Sequence, residues 1–525
     1  MTTTRIRYGP ASAELSGSHA GTAAVIAAFA GGLTFVIRLA LHGRSFDLFG
    51  DEVIYTDIGR SVISGGFPRF GREPFFLHGP GFFYLEAGWA RIVGNPPGLM
   101  AWIYEMRALN ALFAGATAVA LVLLATRVSS LKAGAAVGFL FALDPFCIRQ
   151  NDRVLLETAM MFWVILGCLV FISLIGRPPS RRGWPNAVGA GLLFGCAVLT
   201  KDEGALLTVL PLLAAAVLGW GPRRGLTLLT VGTTVAVYSV YVAVVAANGQ
   251  FPGLWEAKTS GIQRMLGFTQ ITGFHSSKGG NLSSRLIAEV IFFGTTYVAL
   301  ALAVPALLVV LRRGRQLPRM LGLLYCAAGV TLGYALVLGT LEEQELYLLV
   351  VPSLLTIPVA VTLLHKERQG NRSVPQSRPG VLATVAIITG LTLALGLDAA
   401  TCVQWLRQRD DTVTRLLQYI SAHVPASTAI TDPTATLNVP SDVIQYALDN
   451  RYSVGPWLTP SAQSREHVGY ILVQWGLISK GYSSIPTSEL RHLVARDRLI
   501  FSASGRSYGQ VALYKIPSRP PRARQ

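Results

Sequence analysis

Charge is scarce in this sequence. Only 14% of its 525 residues are Asp, Glu, Lys or Arg, while 51% are hydrophobic; an ordinary soluble domain carries roughly 25% charged residues. A single soluble globule is therefore excluded, and so is a disordered chain, which does not hold this much apolar and aromatic content. Cysteine is sparse as well. Cys147, Cys168, Cys196, Cys326 and Cys402 lie in or beside apolar runs without paired spacing, so no disulfide framework is expected. The C-x-x-C, H-E-x-x-H, Walker and dinucleotide glycine patterns are all missing, which removes most motor, zinc-protease and nucleotide-cofactor readings. Internal repeats and the inverted symmetry of many transporters are missing too.

What is present is a series of apolar runs long enough to cross a hydrocarbon layer of about 30 Å, which takes ~20 helical residues. They are Thr22–Leu41, Ala108–Thr126, Leu131–Ile148, Val154–Ile175, Asn186–Thr200, Gly204–Trp220, Leu226–Ala247, Leu286–Leu311, Met320–Leu341, Leu346–Leu364 and Val381–Leu397. The third ends near Asp144-Pro145 and the fifth is short. Barrel strands would be shorter and would alternate polar with apolar. The sequence predicts an all-α polytopic membrane bundle of about 11 transmembrane helices, with a retained first helix rather than a cleaved signal.

Basic residues give the orientation. The N-terminal segment and the loops at 127–132, 177–182, 223–224, 312–319 and 366–378 hold 17 Lys/Arg and two acids, whereas 43–99, 144–153, 201–203, 248–285 and 342–345 hold 12 Lys/Arg and 14 acids. This asymmetry predicts a plasma-membrane protein with a cytoplasmic N-terminus and, after eleven crossings, an extracytoplasmic tail. The net charge of +17 then reflects anchoring at the inner leaflet, and no nucleic-acid partner is needed.

The outer segments are too long for plain connectors. In 43–99, Asp51–Ser64 puts Val53, Ile54, Ile58, Val62 and Ile63 on one helical stripe, and Phe82–Val93 carries Phe83, Leu85, Trp89 and Ile92; both read as interfacial helices. The segment 248–285 mixes glycine with aromatic and basic residues and reads as a mobile lid. After Leu397 the composition changes. An amphipathic helix at Asp410–His423 and strands at Tyr470–Trp475, Leu499–Ala503 and Gln510–Ile516 predict a small extracytoplasmic α/β domain. The expected division is a transmembrane catalytic domain, 1–400, and this α/β domain, 401–525.

Ionisable groups at membrane depth cost ~2.5–3.5 kcal/mol each on insertion scales, and here they gather at outer helix ends. Asp51-Glu52, Arg107, Asp152-Arg153, Glu157, Lys201-Asp202-Glu203 and Glu342-Glu343-Gln344-Glu345 would rim one outward-facing cavity of both signs. Asp51-Glu52-x-x-Tyr55, His78-Gly79-Pro80-Gly81-Phe82-Phe83-Tyr84-Leu85, Arg107, Asn151-Asp152-Arg153-x-x-x-Glu157, Leu199-Thr200-Lys201 and Tyr347-Leu-Leu-Val-Val-Pro352, in this order on alternating outer loops, resemble the membrane glycosyltransferases of the GT-C fold. Protein O-mannosyltransferases and aminoarabinose lipid A transferases would be the nearer relatives. The family usually shows two prolines after the histidine, where this chain has Gly79-Pro80.

The resemblance implies an inverting transfer of a sugar from a polyprenyl-phosphate carrier to a hydroxyl of a protein, lipid or envelope glycan. Asp51 is then expected as the base, with Glu52 beside it shaping the site and Asp152 orienting acceptor or sugar. Arg107, Arg153, Lys201 and Tyr347 are expected at the donor phosphate, because guanidinium and ammonium groups suit phosphate oxygens. His78, Glu157 and His275 are candidate substrate contacts. No cofactor follows firmly; a divalent metal would draw on His78, His275 and Glu86, for which no ligand spacing exists. Each of these residues also has a plain alternative, such as an ion pair of Asp152 with Arg149 or Arg153, or of Lys201 with Asp202 or Glu203. The rival functions are a lipid-linked sugar flippase, which should place polar residues at mid-membrane on several helices, and a non-catalytic envelope-binding scaffold.

Overall fold

A computed structural model of the chain describes residues 17–43, 45–175, 183–268, 282–338, 342–370, 378–434, 444–445, 447–479, 483 and 485–517. The bundle and its outer segments run α1 (Gly17–Leu41), α2 (Gly50–Ser61), α3 (Gly81–Val93), α4 (Gly98–Val128), α5 (Leu131–Leu143), α6 (Pro145–Asn151), α7 (Leu156–Ile172) and α8 (Gly183–Thr200). They continue as α9 (Gly204–Leu218), α10 (Arg224–Ala247), α11 (Phe251–Met265), α12 (Leu282–Arg313), α13 (Gln316–Val337), α14 (Tyr347–Gly370) and α15 (Arg378–Arg407). Each of the eleven apolar runs is helical over most of its described length. Among the described residues seven helices are long and apolar enough to span a bilayer, and the bent pair α5–α6 makes an eighth; α7 and α9 are shorter apolar helices of 17 and 15 residues.

The 62° bend between α5 and α6 is written at Asp144-Pro145. Proline at the first helical position has no N–H to contribute and disfavours helix in the residue before it. Asp144 instead caps α6, accepting from the Cys147 N–H at 2.8 Å, and takes the Thr296 hydroxyl of α12 at 2.8 Å. The loose end of α5 is closed from α1: the buried Arg38 donates to the carbonyls of Phe141, at 3.0 Å, and Ala142.

In the segment 43–99, α2 turns its apolar stripe into the protein. Its Val53 and Ile58, with Val62 just after it, are buried in a cluster with Phe82 and Phe83 of α3, Trp102 and Met106 of α4, and residues of the tail. On α3, Leu85 and Ile92 are exposed while Phe83 is buried. The segment 248–285 is not a loop throughout. α11 occupies its first half, burying Leu254 against Phe76, Tyr241 and Val245 and exposing Phe251, Trp255 and Ile262.

The tail opens with α16 (Thr412–His423) and forms a five-stranded sheet in the order β4-β3-β5-β7-β6, following a small hairpin, β1–β2, in the first outer segment (Arg69–Phe70, Glu73–Pro74). β3 (Ala429–Thr431) runs parallel to β4 (Ser453–Gly455) and β5 (Val468–Gln474), and β7 (Gly509–Lys515) is antiparallel to β5 and β6 (Arg498–Gly505). Alternate residues of β5 face opposite sides, as a strand requires: Tyr470 and Leu472 join the cluster with α16 and α2, and Ile471 and Val473 pack with Leu490 and Val494. The tail therefore shares a core with the first outer segment. Asp47 fastens the joint by accepting from the Val413 N–H at 2.6 Å and the Thr414 N–H at 3.3 Å at the start of α16, and the Tyr508 hydroxyl donates to the Leu48 carbonyl.

Candidate active site

Phe49 is the N-cap of α2, and Asp51 falls in its first turn, where the helix dipole favours an acid. Its Oδ2 accepts from Nε2 of Gln344 at 2.9 Å, and the same amide donates to Glu342 Oε2 at 2.9 Å. Gln344 belongs to a short 3-10 turn, Glu343–Leu346, that precedes α14. Burial pushes the Asp51 carboxyl up to about 7, Glu342 and Glu157 add to the rise, and Arg264 and Gln344 oppose it. One turn along α2, the Tyr55 hydroxyl lies 3.3 Å from His78 Nε2. Burial, with Lys201 nearby, holds His78 down to about 3, so the imidazole is neutral and serves as a hydrogen-bonding group.

His78 is positioned by its neighbour. A β-carbon on Gly79 would lie 2.2 Å from the Leu199 carbonyl oxygen, so this segment packs directly on the end of α8, where Lys201 follows. α11 covers the same region. Lys258 donates to Asp202 at 2.7 and 2.9 Å and to the Leu77 carbonyl at 3.1 Å, and Arg264 pairs with Glu342.

Several candidates are engaged elsewhere. Glu52 and Arg107 are fully buried and paired, at 2.5 Å for Nη2–Oε1 and 2.9 Å for Nε–Oε2. Arg107 also donates to the carbonyls of His42, Phe46 and Asp47. Glu52 accepts from the N–H groups of Phe49 and Val154. These two residues tie three outer segments together, and Arg107 has no donor left for a phosphate. Lys201 is held between Glu157, at 2.6 Å, and Glu203, at 3.4 Å; burial opposes its charge, but the two carboxylates outweigh it and keep it protonated. It pairs with Glu203 as its alternative had it, but not with Asp202. The Tyr347 hydroxyl is buried and accepts from Asn151 Nδ2 at 2.9 Å.

Asp152 forms neither of the ion pairs considered for it. It is fully buried, its two carboxylate oxygens have no hydrogen-bond partner among the described residues, and burial holds its pKa well above the usual range. Arg153 is also buried, with its guanidinium over the Phe49 ring at 4.6 Å. Its loop is fixed from the backbone, by Asn110 Nδ2 donating to the carbonyls of Arg153 and Leu155 at 2.6 and 3.2 Å. His275 lies outside the described residues.

Of the residues named for a metal, Glu86 is enclosed between α2 and α3 against Gly59 and His275 lies outside the described residues; among the described residues no group of three or more His, Cys, Asp or Glu side chains could hold a metal ion. Sequence reasoning missed Gln344 and Arg264 as partners of the Asp51 region. The Glu-Glu-Gln-Glu run was visible, but which member turns toward Asp51 depends on how α14 begins.

Residues 90–264 match the family model of dolichyl-phosphate-mannose-protein mannosyltransferases. Among curated proteins none matches the sequence significantly. Solved structures do. The archaeal oligosaccharyltransferase AglB of Archaeoglobus fulgidus, in complex with an inhibitory peptide and a dolichol-phosphate, superposes with a TM-score of 0.59 at 12% identity, covering 95% of this chain and 75% of that one. ArnT from Cupriavidus metallidurans bound to undecaprenyl phosphate gives 0.55 at 15% identity, covering 94% and 98%. The chain has the GT-C fold of these polytopic membrane glycosyltransferases.

Proposed function

We propose that this chain is an inverting glycosyltransferase that moves a sugar from a polyprenyl-phosphate carrier to an acceptor hydroxyl. The solved structures that share its fold hold dolichol-phosphate and undecaprenyl phosphate. The observation that carries the reading is Asp51 itself: a carboxyl in the first turn of α2, held by Gln344 and tuned to about 7, close to the working pH at which a general base is most effective.

In the reaction so inferred, Asp51 accepts the proton of the acceptor hydroxyl as that oxygen attacks the anomeric carbon. The bond from that carbon to the phosphate oxygen breaks, and polyprenyl phosphate departs. One displacement inverts the anomeric centre and needs no second, nucleophilic carboxylate. Among the basic candidates Arg153 takes the phosphate role, since Arg107 and Lys201 are bound to carboxylates. Tyr55 and neutral His78 offer hydrogen bonds to sugar or acceptor. The reading sets the site and the tail on the outer face of the plasma membrane, supported by the ledger of 17 Lys/Arg to two acids against 12 to 14.

The test is transfer by the purified protein in vesicles supplied with polyprenyl-phosphate sugars and envelope acceptors, following release of polyprenyl phosphate. Carrier release that needs acceptor and Asp51 supports the reading. Movement of the carrier across the bilayer without cleavage overturns it in favour of a flippase.

A further inference from the structure

Three arginines from two distant segments converge where the tail meets the bundle. Arg149 lies in α6, Arg153 follows that helix, and Arg506 stands in the β6–β7 turn of the tail. Arg153 is 3% exposed, yet its guanidinium, with five donors, makes no hydrogen bond or ion pair among the described residues, and its Nε is enclosed without a partner. Nη1 of Arg506 is likewise buried and unpartnered. The rest of Arg506 is anchored: Nη2 donates to the Ser45 carbonyl and lies 3.9 Å from Asp410. Arg149 meets Glu343 at 3.0 Å and Glu289 at 4.0 Å.

The three cations act on one another. Burial and the charge of Arg149 lower Arg153, and burial, with Arg149 and Arg153, brings Arg506 down to about 10 against the pull of Asp410. Repulsion of this kind in a poorly solvated place calls for a counter-charge. Asp152 lies near enough to act on Arg506 but forms no ion pair with any of the three. Aromatic rings cover the guanidinium faces: Phe46, Trp405 and Phe292 at Arg506, Phe293 at Arg149, and Phe49 at Arg153. Both Nη groups of Arg149 are on Glu343, so what stays open is the N–H edge of Arg153 and Nη1 of Arg506, and such groups suit the oxygens of a phosphate.

We propose that Arg153 and Arg506 together bind a phosphate group, with the carboxylate-bound Arg149 beside them, so that the tail supplies part of the substrate site. The position suits a lipid-borne phosphate, because Phe292 and Trp405 belong to the apolar helices α12 and α15. It also adjoins the candidate base. Phe49, beneath Arg153, is two residues from Asp51, and Glu343, the partner of Arg149, is next to Gln344, the partner of Asp51. The inference rests on the transferase reading for what the phosphate carries, and not for the phosphate itself. Its bearer is either the polyprenyl carrier or a phosphorylated acceptor.

Binding of undecaprenyl phosphate, undecaprenol and inorganic phosphate to the full chain in detergent tests this, with Arg153→Gln and Arg506→Gln as variants. The wild type should bind undecaprenyl phosphate and not undecaprenol. Each variant should weaken binding by about tenfold or more and flatten its salt dependence. Because Arg153 has no hydrogen-bond or ion-pair partner to lose among the described residues, Arg153→Gln should not lower the melting temperature. Should Arg506→Gln fail to fold, Arg506→Lys keeps the charge without the fork and should still weaken binding. Loss of inorganic phosphate binding with unchanged undecaprenyl phosphate binding assigns the site to a phosphorylated acceptor. Unchanged binding of both probes in folded variants overturns the proposal. A wild type that binds undecaprenyl phosphate through these arginines but transfers no sugar overturns the transferase reading and leaves the site standing.

Discussion

Gln344 donates to Asp51 at 2.9 Å across 293 positions of sequence, so a turn at the head of α14 bears on the protonation of a candidate base that burial chiefly sets. Gln344 favours the charged carboxylate, while Glu342 and Glu157 disfavour it. The environment thus sets a group near neutrality that a free aspartate would not reach.

Asp51→Asn should lower single-turnover transfer by roughly 10²–10⁴, the range that loss of a general base produces, and leave binding of undecaprenyl phosphate unchanged. The two are measured separately, by rapid-quench transfer at saturating donor and by equilibrium binding. A variant that loses donor binding but keeps its single-turnover rate would remove Asp51 from the role of base.

The pH dependence follows from the same group. Transfer should fall on the acid side of a bend near 7, the value to which burial and its neighbours raise Asp51. Gln344→Leu removes a donor that favours the ionised form, so the bend should move to higher pH. Stability runs the other way. A raised carboxyl contributes stability that is fully present below its ordinary value and is lost as pH rises through about 7. Asp51→Asn should therefore melt higher than the wild type at about pH 8, the difference shrinking toward about pH 4. A pH-rate profile without a bend between these limits, or one that Gln344→Leu leaves in place, speaks against the assignment.

Much of the bundle was legible because apolar runs and Asp-Pro punctuation are local signals: each run is helical over most of its described length, and the break falls at Asp144-Pro145. The tail strands were legible through alternation. The short strands Ala429–Thr431 and Ser453–Gly455 were not, since three residues carry no period. At the site, residue types were legible and partners were not. Arg107, Lys201 and Arg153 look alike as basic residues at outer helix ends, yet two are bound to carboxylates and one has none among the described residues. Arg506 had no signal, because its place beside Arg149 and Arg153 exists only after the tail folds onto the first outer segment.

Orientation is checked with reporter fusions. Fusions at residues 180 and 370 should report the cytoplasm, and fusions at 270 and 450 the exterior, as the ledger of 17 Lys/Arg to two acids against 12 to 14 requires. A cytoplasmic signal at 450 would set the tail, and with it Arg506, on the wrong side for an extracytoplasmic acceptor.

Lys201 and Arg153 separate a structural cation from a ligand-binding one. Lys201 is enclosed with Glu157 at 2.6 Å, and Glu157 is 2% exposed. Lys201→Ala strands that carboxylate in a place where water does not reach it, and breaking a buried pair from one side costs about 3–5 kcal/mol. The melting temperature should fall sharply and transfer should be lost with the fold. Adding Glu157→Gln to Lys201→Ala should recover most of the stability, because no unpaired charge is left behind; the non-additivity is the diagnostic quantity. Arg153→Gln, by contrast, relieves a guanidinium that has no acceptor among the described residues and should melt at or above the wild type while losing phosphate binding. If Lys201→Ala instead folds like the wild type and loses only undecaprenyl phosphate, the ammonium is a donor ligand after all, and Glu157 is its second tether.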